Sequence, residues 1–222
     1  MYSDQQFLRI STVTIDYFGT YNERPNWKET VDIFFGLIGI IILLILYPFI
    51  TLGIKLSSSG PVLFKQKRTG LNGRTFICYK FRTMHCNQPA PVNGGPDITQ
   101  EKDSRIFKFG EFLRRTNLDE IPQFINVIKG DMSIVGPRPY PVEENSHWNS
   151  TFPDFYKRFA VRPGLTGLAQ ATGYRGGTLD LIHMRERLRR DLIYIEERSL
   201  AMDLRVIQLT AHSMLTLNTH AH

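Results

Sequence analysis

IFFGLIGIIILLILYPFITLGI, residues 33–54, decides the architecture. The stretch runs for 22 residues without a charged side chain, and about 20 predominantly apolar residues are enough for a helix to cross a hydrocarbon layer. A soluble core helix is rarely so uniform, so the stretch predicts a membrane helix. Pro48 complicates a simple crossing, because its ring removes a hydrogen bond to the Leu44 carbonyl and crowds that turn. If the helix breaks there, the arm over 33–47 is about 22 Å long at a rise of 1.5 Å per residue, short of a hydrocarbon core of about 30 Å. Proline kinks also occur in spanning helices, so these residues leave both a spanning and a re-entrant course open. Lys55, Lys65, Lys67 and Arg68 follow the run, and that cationic excess places the bulk of the chain on the cytoplasmic side.

The rest of the chain agrees with one core plus a membrane element: 222 residues, 42% apolar and 22% charged. Charge is uneven. Residues 1–32 carry a net −2 and the part beyond the apolar run +8, within a total of +6. A basic domain beside a membrane attracts phosphates of some kind, whether in nucleic acid, anionic lipid or nucleotide. Cys78 and Cys86 make neither a metal-ligand spacing nor a disulfide framework, which fits a reducing compartment. The six histidines form no HExxH-type cluster, so zinc is not expected. Residues 1–28 are polar, show no secretory signal, and read as an irregular lead-in.

After the apolar run, 62–68 and 75–82 alternate as strands around Asn72-Gly73, the strongest short hairpin signal. The hairpin is basic, with Lys65, Lys67, Arg68, Arg74, Lys80 and Arg82, and suits either a solvated face or contact with headgroups or a bound phosphate. Residues 87–103 are rich in Pro, Gly and Asn and predict a surface loop. Helical spacing over 104–115 leads Arg114 and Arg115 toward TNLDEIPQFINVIKGDMSIVGPRP, residues 116–139. Asp119 and Glu120 adjoin there, Pro122 suits a first helical turn, and Gly130 reads as a C-terminal cap. The pair either complements a helix dipole or does chemistry. Residues 141–153 read as a loop and 155–159 as a short helix. Five glycines between 164 and 177 permit close backbone approach to a ligand without any GxGxxG or P-loop pattern. Residues 181–195 form an amphipathic helix, with Leu181, Met184, Leu188, Leu192 and Ile195 in one stripe and Arg185, Arg187, Arg189 and Arg190 off it. Residues 202–217 make a last helix. The expected class is α+β, mainly helical with a short β-hairpin.

These blocks together resemble the bacterial sugar transferase family, the monotopic phosphoglycosyl transferases that initiate capsule, exopolysaccharide and O-antigen assembly. The resemblance rests on the apolar segment, SSSGPVLFKQKRTG (57–70), YKFRTM (79–84), LRRTNLDEIPQFINVIKGDMSIVGPRP (113–139) and VRPGLTGLAQ (161–170). It implies transfer of a sugar 1-phosphate from a UDP-sugar to polyprenyl (undecaprenyl) phosphate, with release of UMP and a covalent enzyme intermediate. By the same resemblance Asp119 is the nucleophile, Glu120 helps hold Mg2+, and Arg114 and Arg138 bind phosphate, with Arg162 as a further phosphate ligand.

The resemblance also turns the open membrane question toward a re-entrant helix, broken at Tyr47-Pro48, in the bacterial inner membrane with both ends cytoplasmic. Tyrosine stands here where the family's familiar pair is Ser-Pro. The implied division is a lead-in over 1–28, which departs from the larger members with their extra membrane helices, a membrane helix over 29–55 and a cytoplasmic catalytic domain over 56–222. The expected partners are the UDP-sugar, the polyprenyl phosphate and membrane lipid. Neither the sugar nor the oligomeric state is fixed, a homodimer included. GYRGGTLD, residues 173–180, is similar to hexose-1-phosphate-transferring members. The rival of a different class is a membrane-tethered basic binding protein without catalysis. A nucleic-acid partner is not expected, since no reading module or stacking platform is visible.

Overall fold

The fold comes from a computed structural model that describes residues 25–86, 103–175 and 180–215. The lead-in up to residue 24, nearly all of the 87–103 loop, Gly176 and Gly177, and the end of the last helix beyond residue 215 lie outside the described residues.

Helix α1 (Asn26–Ser57) is 32 residues long and has a mean hydropathy of 2.9 over its most apolar window. Its buried positions are Lys28, Asp32, Gly36, Gly39, Leu43, Ile50 and Ile54, which recur at helical spacing and form one stripe. That stripe is polar, small or aliphatic. The opposite face carries the large apolar side chains, with Phe34, Leu44, Phe49 and Leu56 between 59% and 80% exposed. A soluble surface helix is arranged the other way round. This one turns its bulk outward, as a helix in contact with lipid does. The break expected at Tyr47 and Pro48 does not interrupt the helix, which runs through both residues. Tyr47 packs on Phe81 with ring centroids 5.9 Å apart, so the segment is held to the domain where proline leaves the Leu44 carbonyl without its helical bond.

Strands β1 (Leu63–Thr69) and β2 (Thr75–Phe81) form the expected antiparallel hairpin in the register Leu63↔Phe81 to Thr69↔Thr75. Asn72 and Gly73 both take positive φ, 53° and 74°, as an Asn-Gly turn demands. Helix α2 (Lys108–Arg115) ends where Asn117 adopts a left-handed conformation, φ 55°. A 3-10 turn (Leu118–Gln123) follows and leads directly into the short helix α3 (Phe124–Ile128). Pro122 therefore lies inside the turn rather than starting an α-helix, and Gly130 caps the segment with φ 78°.

Strand β3 (Ser133–Val135) pairs in parallel with β4 (Gly164–Thr166), a pairing absent from the sequence reading. Residues 141–153 are not simply a loop: a 3-10 turn (Val142–Glu144) and helix α4 (Asn145–Thr151) lie there. The short helix expected near 155–159 is a 3-10 turn (Phe155–Ala160). Helices α5 (Leu168–Ala171), α6 (Leu181–Glu197) and α7 (Leu200–Leu215) complete the chain. On α6, Met184, Leu188 and Ile195 are buried as expected, Leu181 is exposed, and Arg187 is buried rather than solvated.

Both ends of α1 dock on this one domain. Near its start, Asp32 Oδ1 accepts from the Ser133 hydroxyl and the Ile134 N–H, each at 2.8 Å, and Lys28 pairs with Asp203. Toward its end, Ile50 and Ile54 share a core with Phe81, Phe107 and Leu113.

Candidate active site

Asn117 redirects the chain so that the turn after it packs on β2 and sets the adjacent carboxylates against that strand. The free edge of β2 is tied down by the buried Asn126 of α3. Its side chain accepts from the Tyr79 N–H at 3.1 Å and donates to the Ile77 carbonyl at 2.6 Å, as a neighbouring strand would. Lys80, the next residue along, is thereby held beside Glu120, and Lys80 Nζ donates to Glu120 Oε1 at 2.6 Å.

Arg138 arrives from the other side. It follows β3 in the turn Gly136-Pro137-Arg138-Pro139, whose backbone lies against residues 162–167. A Cβ on Gly164 would stand 2.1 Å from the Gly136 nitrogen, and one on Gly136 would stand 2.5 Å from the Arg162 carbonyl oxygen. Only glycine at both positions lets the two chains approach so closely. Arg138 Nη2 then donates to Glu120 Oε1 at 2.7 Å. Arg158 fixes this turn from behind, donating to the Arg138 carbonyl at 2.9 Å and to Asp191 at 2.8 Å, while its guanidinium stacks 4.4 Å from the Tyr140 ring centroid. Arg68 Nη1 donates to the Pro139 carbonyl and so braces the far end of the same turn.

The two carboxylates sit in contrasting environments. Glu120 is claimed by two cations. Burial pushes its carboxyl up, but Arg138 and Lys80 more than offset that and hold it well below the usual carboxylate range. Asp119 is 8% exposed and makes no hydrogen bond or ion pair among the described residues. Burial raises its carboxyl to about 6, the Glu120 charge adds to that, and Lys80, Arg114 and Arg138 oppose it. Environments that separate two neighbouring carboxyls in this way assign them different tasks. One is a fixed anion, and the other is a buried carboxylate with its lone pairs unspent.

Four of the expected residues, Asp119, Glu120, Arg114 and Arg138, share one electrostatic neighbourhood. Arg162 has another contact: its Nε donates to the Gly130 carbonyl at 2.7 Å, at the end of the α3 turn. Lys80 was legible only as one of six basic residues on a hairpin. Arg158, Asp191 and Asn126 carried no motif and were missed. Arg175, in the glycine-rich segment, lies within electrostatic reach of Glu120, Arg138 and Asp119. Among the described residues no group of three His, Cys, Asp or Glu side chains could hold a metal by itself. Two adjacent carboxylates do fit Mg2+, which commonly takes one or two carboxylates and completes its shell with water and substrate phosphate.

Fold and site together define a class: a long helix with its large apolar side chains outward, fused to a domain that surrounds adjacent buried carboxylates with cations. The family profile described as "Bacterial sugar transferase" matches residues 23–217, and the chain belongs to that family. It is 45% identical over 167 residues to the "UDP-glucose:undecaprenyl-phosphate glucose-1-phosphate transferase" of Caulobacter vibrioides, covering 74% of this chain and 61% of the relative. The protein of the same name from Xanthomonas campestris pv. campestris is 44% identical over 188 residues, which cover 82% of this chain and 38% of that relative. "Exopolysaccharide production protein PSS" of Rhizobium leguminosarum bv. phaseoli is 42% identical over 192 residues, covering 85% of this chain and 95% of the relative. The chain thus spans less than two thirds of the first two relatives and nearly all of the third.

Proposed function

We propose that the protein transfers a sugar 1-phosphate from a UDP-sugar to polyprenyl phosphate at the inner membrane, releasing UMP through a covalent intermediate on Asp119. The observation that carries this reading is the buried Asp119 carboxylate, unpaired among the described residues, next to a Glu120 already neutralised by Lys80 and Arg138. A carboxylate attacking an anionic phosphate needs surrounding positive charge, and it must not be locked into an ion pair of its own.

In the first displacement an Asp119 oxygen forms a bond to the sugar-bearing phosphorus. The bond from that phosphorus to the bridging oxygen breaks, and its electron pair leaves on UMP. In the second, a phosphate oxygen of the polyprenyl phosphate attacks the same phosphorus and the acyl phosphate bond returns its electrons to Asp119. Arg138 and Arg114 orient the phosphates and neutralise charge. Glu120 would help hold Mg2+, which when bound supplies charge neutralisation on the diphosphate.

The docking of α1 supports a membrane arrangement with both of its ends on one face. Lys28 and Asp32 are bound by residues of the same packed domain that holds Ile50 and Ile54. A helix crossing the bilayer would put those two ends on opposite faces. Entry and return on one face, the cytoplasmic one given the cationic excess after residue 54, keeps the dyad beside the surface where a water-soluble donor meets a lipid acceptor. The names of the relatives make UDP-glucose the first donor to try.

Purified protein given Mg2+, polyprenyl phosphate and, in turn, UDP-glucose, UDP-galactose and N-acetylated UDP-sugars releases UMP from at least one of them. Radiolabelled phosphosugar stays on the denatured protein when the acceptor is withheld, and Asp119→Asn abolishes both signals. Full activity in that variant excludes the nucleophile assignment; a wild type that releases UMP without ever retaining label points to direct transfer. A cysteine at Asn26 and one at Ser57 both stay unlabelled by an impermeant reagent outside intact cells, and labelling of either one overturns the re-entrant course.

A further inference from the structure

Arg175 lies four residues beyond α5, past the turn that Gly173 opens with φ 95°. Its guanidinium lies within electrostatic reach of Glu120, Arg138 and Asp119, and its backbone is tied through Arg187 to Tyr140, two residues past Arg138. Its Nη1 is buried with no hydrogen-bond partner among the described residues. Buried donors are ordinarily satisfied, and an orphan on a charged group costs stability unless something outside the folded chain completes it. The neighbouring guanidinium groups are already engaged: Arg138 with Glu120, Arg68 with Gln66 and the Pro139 carbonyl, and Arg158 with Asp191 and the Arg138 carbonyl.

The backbone behind Arg175 is held firmly. Arg187 Nη2 donates to the Arg175 carbonyl at 3.2 Å, and Arg187 Nη1 donates to the Tyr140 hydroxyl at 2.7 Å. The preceding residue, Tyr174, has the Arg190 guanidinium 4.5 Å from its ring centroid and the His183 ring at 5.0 Å. Helix α6 therefore fixes the position of Arg175 while its fork remains unspent. Lys80, Arg114, Arg138 and Arg175 all lie within electrostatic reach of both Asp119 and Glu120, with Asp103 also near Arg114, and such a cationic setting suits the diphosphate of a nucleoside diphosphate sugar, which is doubly negative.

We propose that Arg175 is a donor-binding residue, closing on the phosphate that departs as the nucleoside monophosphate. It rests on the reading that Asp119 attacks the sugar-bearing phosphorus of a UDP-sugar. Negative charge grows on the departing phosphate during that displacement, and an arginine fork matches its non-bridging oxygens in pairs. Lys80 and Arg138 already donate to Glu120, whereas the buried Arg175 Nη1 has no partner among the described residues and can take this charge.

The test uses UDP with Mg2+ as a binding probe, followed by thermal shift or equilibrium dialysis, beside steady-state UMP release. The wild type binds UDP, and Arg175→Ala weakens UDP binding by about tenfold or more, the range of a lost charge-assisted hydrogen bond. The same variant lowers kcat/KM for the UDP-sugar, leaves kcat/KM for polyprenyl phosphate unchanged, and keeps the wild-type unfolding midpoint. Arg175→Lys recovers only part of the binding, because it restores the charge without the fork. Should Arg175→Ala fail to fold, Arg175→Gln carries the same comparison. UDP affinity within twofold of wild type in the alanine or glutamine variant overturns the proposal, as does a wild type that does not bind UDP or a change confined to the acceptor. A wild type that binds UDP through Arg175 yet releases no UMP refutes the transferase reading instead.

Discussion

Two buried ionic clusters in this chain use similar side chains to opposite ends. At the start of α1, Lys28 Nζ donates to Asp203 at 2.5 Å, to the Val135 carbonyl at 2.7 Å and to the Tyr194 hydroxyl at 3.0 Å, so its three N–H groups are all engaged. Asp203 also accepts from Tyr194 at 2.8 Å, and Asp32 takes two donors from β3. This cluster is closed. At the dyad, Glu120 is satisfied in the same manner, but among the described residues Asp119 has no hydrogen bond and Arg175 keeps a buried N–H without a partner. The first cluster compensates for the burial of its charges within the protein and serves as a lock between α1 and the domain. The second leaves part of that compensation open, which is what the proposed ligand would supply.

Removing Asp119 tests the contrast most severely. Asp119→Asn lowers UMP release by at least roughly 10³-fold, the scale seen when a nucleophile is deleted. Its effect on stability has the other sign. The folded-state carboxyl, at about 6, lies above its usual 3.8, so the stability it lends is complete below pH 3.8 and is lost as pH rises through 6. At pH 8 an ionised Asp119 destabilises the fold on the order of 3 kcal/mol, and the neutral asparagine raises the midpoint of urea unfolding. A variant that loses activity and stability together would mean that the site is closed after all.

The lock behaves oppositely. Lys28→Met leaves Asp203 buried without its cation and costs about 3–5 kcal/mol, whereas adding Asp203→Leu to the same protein restores much of the loss. Unfolding midpoints of the two single variants and the double variant measure this directly. Equal destabilisation by single and double variants would deny that the pair acts as a unit.

Protonation separates the clusters further. The rate of UMP release falls about tenfold per pH unit below pH 6, since only ionised Asp119 attacks. Lys80→Met moves that inflection upward, because Lys80 lowers the Asp119 carboxyl. Glu120 has the reverse signature: held well below its usual value, it contributes stability that is present above pH 4.5 and is lost as pH falls through its folded value. A pH–rate profile flat between 5 and 7 rules out Asp119 as the titrating nucleophile.

How much of this was legible in the sequence depended on whether the information was local. The Asn72-Gly73 turn, the apolar helix and most of the α6 stripe are local patterns and appear in the fold, apart from the expected break at Pro48, the exposed Leu181 and the buried Arg187. The parallel pair β3 and β4 joins two three-residue segments about thirty residues apart, too short for an alternation to register. Asp119, Glu120 and Arg138 could be picked out as adjacent acids and an arginine in a Gly-Pro-Arg-Pro turn. Their support could not, because Asn126, Arg158 and Asp191 act through contacts that only packing creates. The same holds for Lys28 and Asp32. Two charges at the mouth of an apolar run look like a solvated helix start, and their partners lie more than a hundred residues away.

The smallest effect distinguishes the seated face of α1 from its exposed apolar one. A Cβ on Gly39 would stand 2.2 Å from atoms of the Phe124 ring, whereas on Gly36 it would stand 2.7 Å from the terminal Cδ1 of Ile128, itself 44% exposed. An alanine in a helix interior gains up to about 1 kcal/mol over glycine. At position 39 that gain is outweighed, since a ring packed beneath the helix must move and overpacking costs about 1–3 kcal/mol. At position 36 the flexible tip of Ile128 gives way at little cost. Gly39→Ala therefore lowers the unfolding midpoint while Gly36→Ala leaves it level or slightly raised. If both alanines stabilise alike, α1 is not seated on α3, and the argument that its two ends share one face of the membrane loses its middle contact.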